Sequence, residues 1–194
     1  GGFDVRATAS PASPVADMSD ALRFARGVDA ADFRVVASVS DLPVDANQVG
    51  TGAKPETYVV HGADSAYLTN TTYSLATRAE GYESDAAVWQ AIRDGKNLAV
   101  VDAFVVPRRA NWGFGPMPAF HLSGLYLEDE SFAPIPVQVE DPQTGKTLTV
   151  HVIGVLSDRT PELMAGIWTS QSSLTPVFGD RVIPTTYFYS LREG

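Results

Sequence analysis

The chemical inventory of this chain is short: three histidines, 23 acidic side chains, 14 lysines and arginines, and no cysteine in 194 residues. Without a thiol there is no disulfide, no thiolate nucleophile, and no cysteine-ligated zinc or iron–sulfur centre. His61, His121 and His151 form no His-Glu-x-x-His pattern and no pair spaced four apart, the arrangement that presents two imidazoles to one metal. His151 stands in an alternating run with Thr149 and Ile153, where a histidine is solvated or lies at a core edge. His61 precedes Gly62-Ala63-Asp64 at a strand end. Acid–base chemistry there needs His61, Asp64 and a more distant carboxylate to converge in one pocket, and no spacing names that third group.

The glycine-rich stretches match nucleotide loops only in part. Thr144-Gly145-Lys146-Thr147 has the tail of a phosphate-binding loop, but the glycine required five residues before Gly145 is Glu140, an anion where a phosphate must sit. Gly113-Phe114-Gly115 lacks the further glycine and the strand–helix frame of a dinucleotide fingerprint, and no Gly-x-Ser-x-Gly elbow occurs. Glu128-Asp129-Glu130 reads as a solvated loop rather than a set of oxygens converging on a cation. Asn70-Thr71-Thr72 matches a glycosylation acceptor, a motif common by chance. The expectation is a chain with no catalytic, cofactor-binding or metal-binding residues. One loop tilts towards function. Residues 108–118 are rich in Gly and Pro yet carry Trp112, Phe114 and Met117, side chains typical of anchors in protein contacts. These three are the candidate partner contact; the alternative is that the loop folds back over its own core.

The elements that position these groups are mostly strands. Residues 3–9 alternate apolar and polar side chains, the period of a half-buried strand. Ser13 caps a helix opened by Pro14, with Val15, Met18, Leu22 and Ala25 on one face and Gly27 closing it. Residues 33–39 form a strand, 40–55 a polar loop, 57–61 a short strand, and 63–82 a mostly irregular stretch. Ser84 or Asp85 caps a helix lined by Val88, Ala91 and Ile92 and stopped by Gly95. Residues 98–106, nearly all apolar, predict a strand covered on both faces at the centre of a sheet. Residues 135–140 and 147–156 flank a turn at 141–146 and predict a hairpin. A short strand at 166–168, a helix over 170–178 ended by Gly179, and a last strand at 185–191 complete the pattern. The class is α+β with strands predominating.

Charge narrows the partners. The net charge of −9 repels a phosphate backbone, and Arg108-Arg109 is the only adjacent basic pair, far short of a nucleic-acid stripe. An anionic membrane surface is disfavoured for the same reason. No run approaches the ~20 apolar residues of a membrane helix. The chain opens at Gly1 without Met or signal-peptide features and ends within a strand-like run, so both ends read as cut from a longer polypeptide.

Several segments carry a family resemblance. Gly1-Gly2-Phe3-Asp4-Val5 followed by a helix resembles the first extracytoplasmic strand after the first membrane helix of FtsX/MacB-type ABC transporter permeases. Val152-Ile153-Gly154-Val155-Leu156 resembles the family's Val-x-Gly-Val-Leu strand, and residues 166–174 resemble the segment after it. Residues 82–102 are similar to the middle of such domains, and residues 188–194 to the last strand before the chain returns to the membrane side. The resemblance implies a non-catalytic extracytoplasmic domain on the bacterial cell membrane that transmits ATP-driven motion to substrate or a partner protein. It implies as partners the membrane helices of the same permease, a cytoplasmic ATPase subunit and an extracytoplasmic protein, in a permease dimer, with no cofactor. It also implies one domain over 1–194, or a porter-like part of 1–40 plus 126–194 with an inserted subdomain at 41–125. The loop at 107–119 and the acidic run at 128–130 depart from the family pattern. The competing readings are an extracytoplasmic solute- or ligand-binding module, which a large polar cleft would favour, and an enzyme built on His61 and Asp64.

Overall fold

Ten strands form among the described residues, 2–10, 32–110 and 116–192, of a computed structural model. The strands are β1 (Val5–Thr8), β2 (Phe33–Gln48), β3 (Glu56–Ala63), β4 (Leu75–Ala79), β5 (Leu98–Val101), β6 (Ser131–Phe132), β7 (Ile135–Glu140), β8 (Thr147–Leu156), β9 (Ile167–Ser170) and β10 (Thr186–Leu191). The helices are α1 (Ser65–Asn70), α2 (Asp85–Asp94) and α3 (Gln171–Phe178). The helix expected from Pro14 to Gly27 lies outside the described residues. The class is α+β and strand-rich, as the sequence predicts. No helix among the described residues is long and apolar enough to cross a membrane.

The strands run in the order β1-β10-β2-β3-β9-β5-β8-β4-β6, with β7 pairing both β2 and β8. That last strand closes a hydrogen-bonded circuit, β2–β3–β9–β5–β8–β7 and back to β2. One face of the circuit packs Val44 and Ala46 of β2 with Val137 and Val139 of β7 and Val150 and Val152 of β8, none more than 1% exposed. Each of these valines contributes roughly 1.5–3 kcal/mol on burial. β5 lies between β8 and β9 with Ala99, Val100 and Val101 fully buried, the central strand its composition predicts. Close approach of a helix is built in: a Cβ on Gly62 of β3 would meet Leu174 Cδ1 of α3 at 2.7 Å.

Three expectations are corrected. The polar stretch 40–55 is strand as far as Gln48, because its polar residues occupy one face while Leu42, Val44 and Ala46 point inward. Pro43 is tolerated there because it falls between the last β10 partner, Val39, and the first β7 partner, Asp45, where one edge of β2 carries no strand. The stretch 63–82 contains α1, capped by Asp64 and anchored by buried Tyr67 and Leu68, and then β4. Six residues of helix are too few for a periodic signal. The run 98–106 stops being strand at Val101, because Asp102 accepts the Phe104 amide and winds Ala103–Val105 into a 3₁₀ turn. Elsewhere the local signals hold. Ser84 caps α2 with Gly95 at its end, Ser170 caps α3 with Gly179 (φ 55°) at its end, and the hairpin strands run over the expected residues.

Candidate functional site

The two ends of the described chain meet. β1 pairs antiparallel with β10, Val5 opposite Tyr189 and Thr8 opposite Thr186. Beyond the ladder, the Asp4 amide donates to Tyr189 O at 2.8 Å, the Leu191 amide to Asp4 Oδ2 at 2.9 Å, and Ser190 Oγ to Gly2 O at 3.0 Å. Residues 2–4 and 189–192 therefore leave the sheet side by side at one end of an edge pair. Gly2 is seated against α1 so closely that a Cβ would overlap the Asn70 carbonyl oxygen. Phe3 then stacks on Tyr67 and packs against Phe188, with both ring pairs 5.3 Å apart.

The candidate contact loop is anchored at its base. Trp112 and Phe114 lie outside the described residues. Met117 is 41% exposed, and Val49 and Tyr126 are exposed to similar extents. The segment that follows the loop is held against the core: Phe120, Leu122, Leu125 and Leu127 are buried, and the Leu122 and Leu127 amides donate to Val105 O and Pro107 O at 2.7 and 2.9 Å. The acidic run is tied into the same base. Asp129 accepts from the Tyr126 amide and pairs with Arg109, whose own amide donates to Glu128. Those bonds hold the Asp129 carboxyl below its usual range, the Tyr126 amide contributing most. No three histidine or carboxylate side chains converge as metal ligands among the described residues.

His61 is a buried strut between Asp41 and the Ala165 carbonyl. Its partner is Asp41 of β2, not Asp64, with Nδ1 2.6 Å from Oδ1; Nε2 lies 2.7 Å from Ala165 O. A carbonyl only accepts, so Nε2 donates to Ala165 O. Burial pushes the Asp41 carboxyl up, and the His61 bond with further help from Thr185 and Arg6 brings it below its usual range. Asp64 instead caps α1 at the Tyr67 amide and accepts from the Ser38 amide and hydroxyl. The enzyme constellation of His61 with Asp64 does not assemble. His121 is exposed, with Nδ1 donating to Pro118 O, and the His151 side chain is exposed on β8.

A second carboxylate, Asp102, itself buried, grips the same turn from the other side. It accepts from the Gly166 amide at 2.8 Å, the Phe104 amide at 2.9 Å and the Tyr58 hydroxyl. Burial first, and the Asp102 charge second, push the Tyr58 hydroxyl far up. Sequence reasoning missed this group; its signal was a lone carboxylate inside the apolar run 98–106. A third, Asp141, organises the hairpin turn that resembled a phosphate loop. It accepts from the Gln143 amide, Thr144 Oγ1 and Arg181. Burial pushes its carboxyl up, but these bonds, Arg181 foremost, bring it down to about 2.

A groove of about 270 Å³ opens beside Asp64, Arg93, Gln171 and Ser172. That is below the roughly 300–1,000 Å³ of small-molecule sites. Its polar groups already have partners: Asp64 as above, Arg93 on Asp94 and Thr69, Gln171 on Ser38 and Ser40.

No family model and no curated relative matches the sequence. Solved structures match the fold. The chain overlays on the extracellular domain of the noncanonic ABC-type transporter YknZ from Gram-positive bacteria with a TM-score of 0.52 and 14% identity, covering 93% of this chain and 75% of that one. It overlays on the periplasmic region of MacB from Actinobacillus actinomycetemcomitans with a TM-score of 0.51 and 12% identity, covering 93% and 67%. At such identity the likeness is one of fold. This chain thus has the strand-rich α+β fold of MacB/YknZ-type extracytoplasmic domains.

Proposed function

We infer that this chain is the extracytoplasmic domain of an FtsX/MacB-like ABC transporter permease in a bacterial cell membrane. It makes and breaks no bonds; it carries ATP-driven movement of membrane helices to a substrate or a partner protein. The shared fold supports the general kind. The observation that carries the mechanical part is the antiparallel pairing of β1 with β10, which brings residues 2–4 and 189–192 side by side. Helices attached at both points would move the domain as one unit between two nucleotide-biased positions. The tip around Trp112, Phe114 and Met117 is the proposed contact with an extracytoplasmic partner, and the base described above would hold it in place. The reading treats 1–194 as one domain. Its finer division, 1–40 plus 126–194 against 41–125, would have to accommodate β3 and β5, which pair with β9 and β8.

The absence of cysteine makes the test clean. Met117→Cys in the full-length membrane protein takes one spin label per copy in this domain. The label-to-label distance in the assembled permease is expected to change between nucleotide-free and ATP-trapped states. An identical distance distribution in every nucleotide state would overturn the reading.

A further inference from the structure

Four rings stack one on the next: Phe3 just before β1, Tyr67 of α1, Trp168 of β9 and His61 of β3. Phe3 lies on Tyr67 at 5.3 Å and 17°, Tyr67 on Trp168 at 5.4 Å and 15°, and Trp168 on His61 at 4.4 Å and 30°. The line then continues through directional bonds. His61 Nε2 donates to Ala165 O, the Gly166 amide donates to Asp102, and the Tyr58 hydroxyl donates to the same carboxylate. The Tyr58 ring packs on Phe120 at 4.8 Å, and Phe120 belongs to the base of the 116–130 loop. Tyr67, Trp168, His61, Asp102 and Phe120 are all buried.

We propose that this column is the rigid connection between the paired chain ends and the contact loop. The inference deepens the permease reading and rests on it for its purpose, though not for its physics. Hydrophobic contacts are non-directional, whereas stacked plates and buried hydrogen bonds fix orientation as well as distance. A displacement entering at Phe3 must either pass along the column or break one of its bonds. The Ala165–Gly166 turn is the joint: His61 holds its carbonyl, Asp102 holds its amide, and a Cβ on Gly166 would reach His61 Cδ2 at 2.5 Å. No slack remains there. Movement of membrane helices at Gly2 and Phe3 is thereby delivered to the loop that bears Met117.

Amide hydrogen exchange on the 194-residue chain tests the connection. The reporters are the Leu122 and Leu127 amides, bonded to Val105 O and Pro107 O at the loop base. Phe3→Leu is expected to speed their exchange by roughly 2- to 30-fold, the range of measured long-range couplings. Ile92→Val in α2, off the column and compared at matched global stability, is expected to leave them unchanged relative to the rest of the chain. In a Tyr58→Phe background, which keeps the ring but removes the bond to Asp102, the Phe3→Leu effect is expected to vanish. Phe3→Tyr, which restores the ring, is expected to restore wild-type exchange. Phe3→Met replaces Phe3→Leu if that variant folds poorly. Equal reporter exchange in the column and control variants overturns the proposal, as does a Phe3 effect that survives Tyr58→Phe. The readout needs no nucleotide and no membrane, so its failure is distinct from failure of the permease reading.

Discussion

The turn at Ala165–Gly166 and the loop over 116–130 are both irregular segments packed against the same core, and they are held by opposite means. The turn is gripped by buried directional bonds from His61 and Asp102, with Trp168 Nε1 donating to Met164 O just before it. The 116–130 segment is pinned by apolar knobs, Phe120, Leu122, Leu125 and Leu127, while its ion pair, Arg109 with Asp129, lies at the surface with Arg109 exposed. Buried polar bonds tolerate no adjustment, because a stretched bond in a dry interior has no water to replace it. Apolar contacts impose no direction, and an ion pair at the surface contributes little. A directional hold and a non-directional one are therefore built from different interactions against the same core.

That contrast can be broken or sharpened by substitution. The largest effect is expected at the joint: Gly166→Ala, with φ at +142° and His61 in the way, should lose about 4 kcal/mol or more in urea unfolding. Leu122→Ala in the loop should lose about 3 kcal/mol, showing that apolar burial carries this segment. The hairpin turn at Asp141 sets a third point of comparison. Its carboxyl is depressed from 3.8 to about 2, so its contribution is present above the unfolded value and lost as pH falls through the folded one. Thermal stability of the wild type should fall between about pH 4 and pH 2, and Asp141→Asn should flatten that part of the profile. Gly124→Ala, at a positive φ of 86° but with open space around it, should cost only about 1 kcal/mol in the same urea assay. Smallest of all, Arg109→Ala should leave the Tm unchanged within error; a clear drop would mean the exposed pair matters as the buried bonds do.

Legibility followed the range of the interactions. The hairpin over 135–156, both ends of α2 and the start of α3 could be read directly, since alternation, a serine cap and a closing glycine act within a few residues. The second half of β2 could not. Asp41, Pro43, Asp45 and Asn47 imitate a loop until β3 and β7 on either side show that they form one face of a paired strand. The anchoring of Leu122 and Leu127 was not legible, because the carbonyls of Val105 and Pro107 that hold them belong to a separate segment.

By itself, then, the order of residues determined the strand-rich class, the acidic surface and the local caps and turns. The tertiary structure alone decided that β1 would find β10 at the far end of the chain, that His61 would take Asp41 rather than its near neighbour Asp64, and that Asp102 and His61 would close on one turn. The physical reason is that a cap or a period is satisfied within one element. A buried donor is satisfied by whichever acceptor the sheet register brings within 3 Å, and that register is a property of the whole core.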